Sequence, residues 1–296
     1  MKYIITGSLG NISRPVTKNL VAAGHDVTVI SSSAEKKSEI ESLGATAAIG
    51  SVTDVAFLKN TFQNADVAYL MIPSDFSLTD YGKFQLEVAD KYLEALKGSN
   101  IKHVVLLSSL GAHMRKGAGP IDALGYLEEK LLEIPDPNLN FLRPSYFFSN
   151  LFSLAGMIKH AGIAGNNFGD TDEKLVLTHT DHIAEIATDT LLHLFTGKNI
   201  TNIANDERHP SEIATILGNA VGKENTPWIT FLDEDAYEGM LGAGLNESFA
   251  NLYLAMGQAL RSGQMQEEYW KNRPEKLGGY KLEDFAKEFA GAYAGA

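Results

Sequence analysis

The chain has 296 residues, 44% of them hydrophobic, with 25 Lys+Arg against 37 Asp+Glu, a net charge of −12 and no cysteine. That length suits one large or two smaller domains, and a charged fraction of 21% beside so many apolar residues argues against disorder. The missing cysteines exclude disulfides, thiolate metal sites and a thiol nucleophile, and the acidic balance disfavours nucleic acid as a partner.

The acid is unevenly spread. Residues 1–150 carry 14 basic and 16 acidic side chains, a net of −2, and residues 151–296 carry 11 and 21, a net of −10. Two parts with different surfaces are expected. No apolar run approaches the ~18–20 residues of a membrane span, and Met1–Thr6 runs straight into a strand-like stretch. The expectation is a soluble, cytoplasmic protein with no membrane partner.

In chain order, β-branched apolar runs predict strands at Tyr3–Thr6, Val27–Ile30, Ala45–Ile49, Val67–Ile72, His103–Leu107 and Asn140–Leu142. Helical spacing fills the gaps. Ile12, Val16 and Leu20 form one stripe ended by Gly24, Val55, Leu58 and Phe62 another, and Thr79–Leu96 a long third. This alternation predicts an α/β fold with a doubly wound parallel sheet over residues 1–150. Beyond it, Leu175–Thr178 and Trp228–Phe231 read as strands, and Asp181 is expected to cap the helix after the first. Further helices are expected at Ser211–Val221, Asp233–Leu241, Glu247–Ser262 and Leu282–Ala292. Residues 151–296 are expected to form a smaller α/β substrate or lid domain, with 174–204 returning to the first.

The sharpest motif is Gly7-Ser8-Leu9-Gly10-Asn11-Ile12-Ser13, after the first strand and opening the first helix. Such a turn aims backbone N–H groups and the positive helix end at a phosphate. Gly7 makes the tight turn, Gly10 admits a pyrophosphate, and Ser13 replaces the usual third glycine. At the end of the second strand stand Ser31, Ser32 and Ser33, then Lys36 and Lys37. An acid there would hold ribose hydroxyls, whereas hydroxyls and lysines suit a 2′-phosphate. NADP(H) is therefore expected ahead of NAD(H), although no arginine accompanies the serines.

These motifs, with Ser108-Ser109 after the fifth strand, Leu142-Arg143-Pro144-Ser145-Tyr146-Phe147-Phe148-Ser149-Asn150 after the sixth, Asp181-His182-Ile183-Ala184 and Leu277-Gly278-Gly279, resemble the NmrA-like branch of atypical short-chain dehydrogenases. The resemblance implies a Rossmann-type NAD(P)-binding domain, a smaller domain and a cleft between them. It implies that Gly7, Leu9, Asn11 and Ile12 line the pyrophosphate and that Ile72 and Pro73 pass beneath the ribose. It puts Leu107, Ser108 and Ser109 near the nicotinamide ribose, with Pro144, Ser145 and Tyr146 flanking the nicotinamide. Ser51, in Gly50-Ser51, stands where many relatives carry an aspartate near the adenine, and Ser31 where they often carry an arginine.

Tyr126-Leu127-Glu128-Glu129-Lys130 spells the Tyr-x-x-x-Lys of ordinary short-chain dehydrogenases, whose tyrosine protonates the substrate carbonyl. Ungapped counting from Leu142-Arg143-Pro144 instead assigns the ordinary tyrosine to Ile121 and the family's helix lysine or histidine to Gly125. Faces through 121 and 125 and through 126 and 130 differ on a helix. Tyr126 and Lys130 therefore stand as weak catalytic candidates, with Ser109 and His113. His179-Thr180-Asp181-His182 fits no standard metal spacing, so no metal is expected. Met71, Met114, Met157, Tyr146, Phe147 and Phe148 are candidates for an apolar cleft, and Asp233-Glu234-Asp235 for a solvated helix start.

The expected function is NAD(P)H-dependent hydride transfer to a small quinone, azo or carbonyl acceptor. The alternatives are a non-catalytic, NAD(P)-binding redox sensor acting through a protein partner, and a sugar-nucleotide epimerase or dehydratase.

Overall fold

The computed structural model describes residues 1–75, 77–169 and 173–295. The first part runs β1 (Lys2–Ile5), α1 (Ser13–Ala22), β2 (Asp26–Ser31), α2 (Lys37–Ser42), β3 (Thr46–Ile49), α3 (Val55–Phe62), β4 (Val67–Leu70), α4 (Tyr81–Leu96), β5 (His103–Leu107), α5 (Asp122–Leu132) and β6 (Asn138–Pro144). Then follow β7 (Tyr146–Phe147), α6 (Ala155–Ala161), β8 (Ala164–Asn166), β9 (Leu175–Thr178), α7 (Thr180–Leu192), β10 (Lys198–Ile203), β11 (Asp206–Arg208) and α8 (Pro210–Ala220). The chain ends with β12 (Trp228–Thr230), α9 (Asp233–Gly242), α10 (Glu247–Arg261), α11 (Glu267–Lys271) and α12 (Leu282–Gly295).

Seven strands form one sheet in the order β10-β6-β5-β4-β1-β2-β3, every neighbouring pair parallel. This is the doubly wound Rossmann-type α/β architecture expected from the alternation. β4 is buried at all four positions, because helices cover both faces. On one face Leu58, Phe62, Val88, Tyr92 and Leu127 pack from α3, α4 and α5. On the other, Val16 and Leu20 of α1 meet Ile183, Ala187 and Leu191 of α7.

The chain leaves this sheet and comes back. α7 packs on α1, where the Tyr3 hydroxyl bonds to the Leu191 carbonyl at 2.9 Å, and β10 adds the seventh strand beside β6. β9 does not return with them; it sits in a three-stranded sheet, parallel to β7 and antiparallel to β11. β8 and β12 form a separate parallel pair. The second core gathers Phe148, Val176, Ile213, Leu217, Phe285 and Phe289 between these strands and α8 and α12. No helix among the described residues is long and apolar enough to cross a membrane.

Caps explain where several helices begin. Asp80 accepts from the Lys83 N–H, so α4 starts at Tyr81 and not at Thr79. Asp181 does not cap α7. The His179 ring Nδ1, two residues earlier on extended backbone, accepts from the Asp181 N–H, and Asp181 falls in the first turn.

α10 is set against the first part by backbone contact. Gly119 has φ +63°, and a Cβ there would lie 1.9 Å from the Leu252 carbonyl oxygen. Neither the backbone angle nor the space admits a side chain. Gly119→Ala should therefore destabilise the fold by more than about 2 kcal/mol, read as a lower urea midpoint.

Candidate functional site

The glycine loop lies at the carboxyl end of β1, beside β4, where the strand order reverses. That is the place at which open α/β sheets bind ligands. Gly7 turns the chain at φ +86°, and a Cβ would meet Met71 Cγ and Ser13 Oγ, both at 2.8 Å. Ser8 continues the turn at φ +53° and bonds Ser31 through its hydroxyl at 2.9 Å. Gly10 and Asn11 are exposed, whereas Leu9 and Ile12 are buried. Ser13, at the third glycine position, packs close and donates to the Thr6 carbonyl at 3.0 Å. α1 begins with no side-chain cap and no acid in its first turn, so its positive end is left for an anion. These features fit a dinucleotide pyrophosphate.

At the end of β2, Ser31 is buried, Ser32 exposed, and the Ser31 hydroxyl accepts from the Ser33 N–H at 3.2 Å. The sequence suggested no arginine here. The fold supplies one, because Arg14, in the first turn of α1, reaches across to Glu39. Lys36 bonds the same carboxylate at 2.9 Å. The Arg14 and Lys36 hydrogen bonds hold the Glu39 carboxyl below its ordinary range. Two cations thus converge on Glu39 of α2, the helix that follows Ser31–Ser33. Ser51, past the end of β3, is exposed and bonds Thr53 at 2.7 Å.

Beyond the glycine loop a cavity of about 260 Å³ opens over the ends of β4, β5 and β6. Its walls include Met71, Ile72, Leu107, Ser108, Ser109, Ser145, Tyr146 and Phe147, with Tyr81 and Gln85 from α4 and Phe249 and Tyr253 from α10. No charged side chain lines it among the described residues. It adjoins a larger cavity of about 740 Å³ between α9, α10, β8 and the 149–157 segment, lined by Met157, Phe168, Phe231 and Met240, with Asp235 its one charged residue among those described. Tyr146, Asn150, Tyr253 and Met256 border both. Phe148 is instead buried in the second core, and Met114 packs against it. Pro73 and Pro144 lie beside the smaller cavity in sequence but not in its wall. A polar depression of about 540 Å³ at Met1, Lys2, Asp26 and Asp66 lies at the opposite strand ends.

α9 lies over the larger cavity and buries none of its residues. Asp233 holds it: its carboxylate takes Arg261 at 3.1 Å, Gln258 at 2.8 Å and Asn167 at 3.1 Å. The expected solvated helix start is therefore a latch at Asp233, with Glu234 and Asp235 exposed. The Arg261 bond draws the Asp233 pKa from 3.8 to about 2, aided by Gln258 and Asn167 against a smaller effect of burial.

Behind the cleft wall lies a buried ion pair. Ser108 donates to Glu128 Oε1 at 2.5 Å, and Arg143 binds Glu128 through Nε at 3.0 Å and a terminal nitrogen at 2.5 Å. Glu128 is 1% and Arg143 4% exposed. Arg143 also reaches Glu268 of α11 at 2.8 Å. Burial works against the Arg143 charge, but the two carboxylates outweigh it and raise its pKa.

Tyr126 and Lys130 are not part of the cleft. The Tyr126 hydroxyl donates to Asp90 of α4 at 2.7 Å, a bond that raises the tyrosine's pKa and commits its proton outside the cavity wall. Lys130 pairs with Glu133 at 2.7 Å. From this helix region it is Ile121 and Leu124 that face the cavity, while Gly125 lies against the Ala112 carbonyl. His113 bonds the Gln264 carbonyl at 3.1 Å, outside the cavity wall. Ser109 is in the wall, its hydroxyl donating to the Leu110 carbonyl at 3.0 Å. No cluster of three or more potential metal ligands occurs among the described residues, the His179–His182 stretch included. Sequence reasoning missed Arg14, Glu128 and Tyr253. The Gly-rich loop was a signal for the first, since it places α1 against the end of β2; the other two carry none.

Residues 7–132 match a family model described as NAD(P)H-binding. The NAD(P)H azoreductase of Xenophilus azovorans is 23% identical over 255 residues, covering 84% of this chain and 83% of that protein. The NADPH-dependent quinone oxidoreductase of Escherichia coli, in its NADPH complex, superposes with a TM-score of 0.79 at 16% identity, over 97% of this chain and 99% of that one. NmrA, a negative transcriptional regulator crystallised with NAD, does so with a TM-score of 0.67 at 12% identity, over 97% and 94%.

Two outcomes are expected. Glu128→Gln, which keeps the shape but strips the charge beside Arg143, should lower stability by about 3 kcal/mol in urea unfolding. The Asp233 pKa is depressed by folding, so its contribution is complete above its ordinary value near 3.8 and fades as pH falls towards 2. Amide exchange in α9 should quicken over that interval, and Asp233→Asn should show the quick exchange already at neutral pH.

Proposed function

We propose that this chain, a Rossmann-type protein with an NAD(P)H-binding domain, is a reductase that takes NADPH ahead of NADH and passes hydride to a planar aromatic acceptor of quinone or azo type. The observation that carries this reading is the cleft itself. It starts at Met71, which packs against Gly7 of the glycine loop, passes over the strand ends and joins a 740 Å³ cavity whose wall includes Tyr146, Phe168, Phe231, Tyr253 and three methionines. Such walls favour a flat apolar acceptor held by ring contacts. A bound reduced nicotinamide supplies the hydride, and this chain supplies orientation and water exclusion. Ser108 suits the ribose side, because its proton is committed to Glu128 and its lone pairs remain free to accept a hydroxyl.

The sugar-nucleotide alternative is disfavoured on charge. A nucleoside diphosphate needs cations for its phosphates, and neither cavity wall has a lysine or arginine among the described residues. The sensor alternative draws on one observation, the position of Tyr126 and Lys130 outside the cleft. The preference for NADPH rests on Arg14 and Lys36, paired on Glu39 just after β2, which would exchange Glu39 for a 2′-phosphate.

Fluorescence titration should give tighter binding of NADPH than of NADH. Arg14→Ala should weaken NADPH about tenfold or more and leave NADH within about twofold, as expected for loss of a charged hydrogen bond. Oxidation of NADPH, followed by absorbance with a quinone and azo-dye panel, should show turnover. Tight binding without turnover of any acceptor would overturn the reductase in favour of the sensor, and binding of neither cofactor would overturn both.

A further inference from the structure

Hydride transfer to a quinone or azo group leaves negative charge on oxygen or nitrogen, and a proton must reach that atom. Tyr126 is committed to Asp90 on the far side of α5. Three tyrosines line the smaller cavity; the Tyr81 hydroxyl bonds Ser74 at 3.5 Å, and the other two reach further. Tyr146 of β7 and Tyr253 of α10 each border both cavities, so they form the neck between them. Their rings are fixed by neighbours: Tyr253 lies 4.5 Å from Phe249 and Tyr146 5.8 Å from Phe168, centroid to centroid.

The hydroxyls of Tyr3, Tyr92, Tyr269 and Tyr280 are taken by Leu191, Met71, Glu207 and Glu288. Those of Tyr146 and Tyr253 have no hydrogen-bond partner among the described residues. Burial raises both phenols above their ordinary range, so each carries its proton at neutral pH. The two differ in where they start. Tyr146 follows Pro144 and Ser145 on the strand side of the cleft, whereas Tyr253 comes from α10 on the opposite wall. An acceptor lying over the strand ends has Tyr253 on its far side.

We propose that Tyr253 donates the proton that completes the reduction, and that Tyr146 is the second hydroxyl orienting the acceptor in the neck; this rests on the reductase reading. For an azo acceptor, hydride from reduced nicotinamide forms an N–H bond on one nitrogen and oxidises the nicotinamide. The N=N π pair moves to the other nitrogen, which takes the Tyr253 hydroxyl proton, so the azo group becomes a hydrazine. Solvent returns a proton to the tyrosinate. A hydrazide anion is far more basic than a phenolate, so a tyrosine with a raised pKa is still acid enough for this step.

A cationic triphenylmethane dye separates the two transfers. Hydride adds to its central carbon and discharges the cation, so no proton is taken up. Wild type should reduce both this cation and a neutral azo dye. Tyr253→Phe should lower kcat for the azo dye about 100-fold and leave the cation within about threefold. Its melting temperature and its NADPH affinity, by fluorescence titration, should match wild type. Tyr146→Phe should raise KM for both dyes without changing the ratio of their kcat values. Equal losses on both dyes in Tyr253→Phe, or a selective azo loss in Tyr146→Phe alone, would overturn the assignment. A wild type that binds NADPH and reduces neither dye would overturn the reductase reading, and the assignment with it.

Discussion

Much of this molecule hangs on one carboxylate and one guanidinium that are almost wholly buried. Glu128 of α5 and Arg143 of β6 are buried together, and five separate pieces of chain meet on them: Ser108 at the end of β5, Arg115 in the following turn, α5, β6 and Glu268 of α11. Well-packed apolar residues would often be as stable as such a pair. What hydrocarbon lacks is direction. The pair fixes which way the Ser108 proton points, and through Glu268 it ties the cleft wall to the second part of the chain.

The same network shows how sequence spacing informs and misleads. Tyr126, Glu128 and Lys130 fall within one five-residue stretch. The i, i+4 spacing correctly places Tyr126 and Lys130 on neighbouring parts of one helix surface, but it does not say which surface meets the cleft. Tertiary packing turns Glu128 inwards and leaves Lys130 in solvent. The strands were legible because burial on both faces demands unbroken apolar runs, and the glycine loop because Gly7 and Gly10 stand between a strand and a helix. Arg14 was signalled only through the loop that starts its helix and Tyr253 not at all, because their neighbours Glu39 and Tyr146 are distant in sequence. Three-residue strands such as Ala164–Asn166 are too short to show a period.

The acidic second half also reads differently once folded. Each arginine there has an acidic partner: Arg208 with Asp206 and Glu283, Arg261 with Asp233, and Arg273 with Glu207, while Arg143 of the first half draws in Glu268. Part of the acid thus joins elements of the second half of the chain to one another. The remainder stays outside a cavity whose wall holds a single carboxylate among the described residues, Asp235. The division leaves the cavity interior for a ring system and keeps all but one fixed charge out of its wall among the described residues.

The late arrival of β10 has a consequence for the nascent chain. When residue 147 has been made, six parallel strands exist, but β6 still presents one bare edge, and α1 lacks the helix that covers it. Roughly fifty more residues must emerge before α7 and β10 close both gaps. Through that interval a ribosome-bound chain displays an unpaired, apolar strand, the kind of edge on which stray intermolecular pairing starts. The excursion through β7, β8 and β9 is therefore also a delay, during which the β6 edge stands open to such pairing.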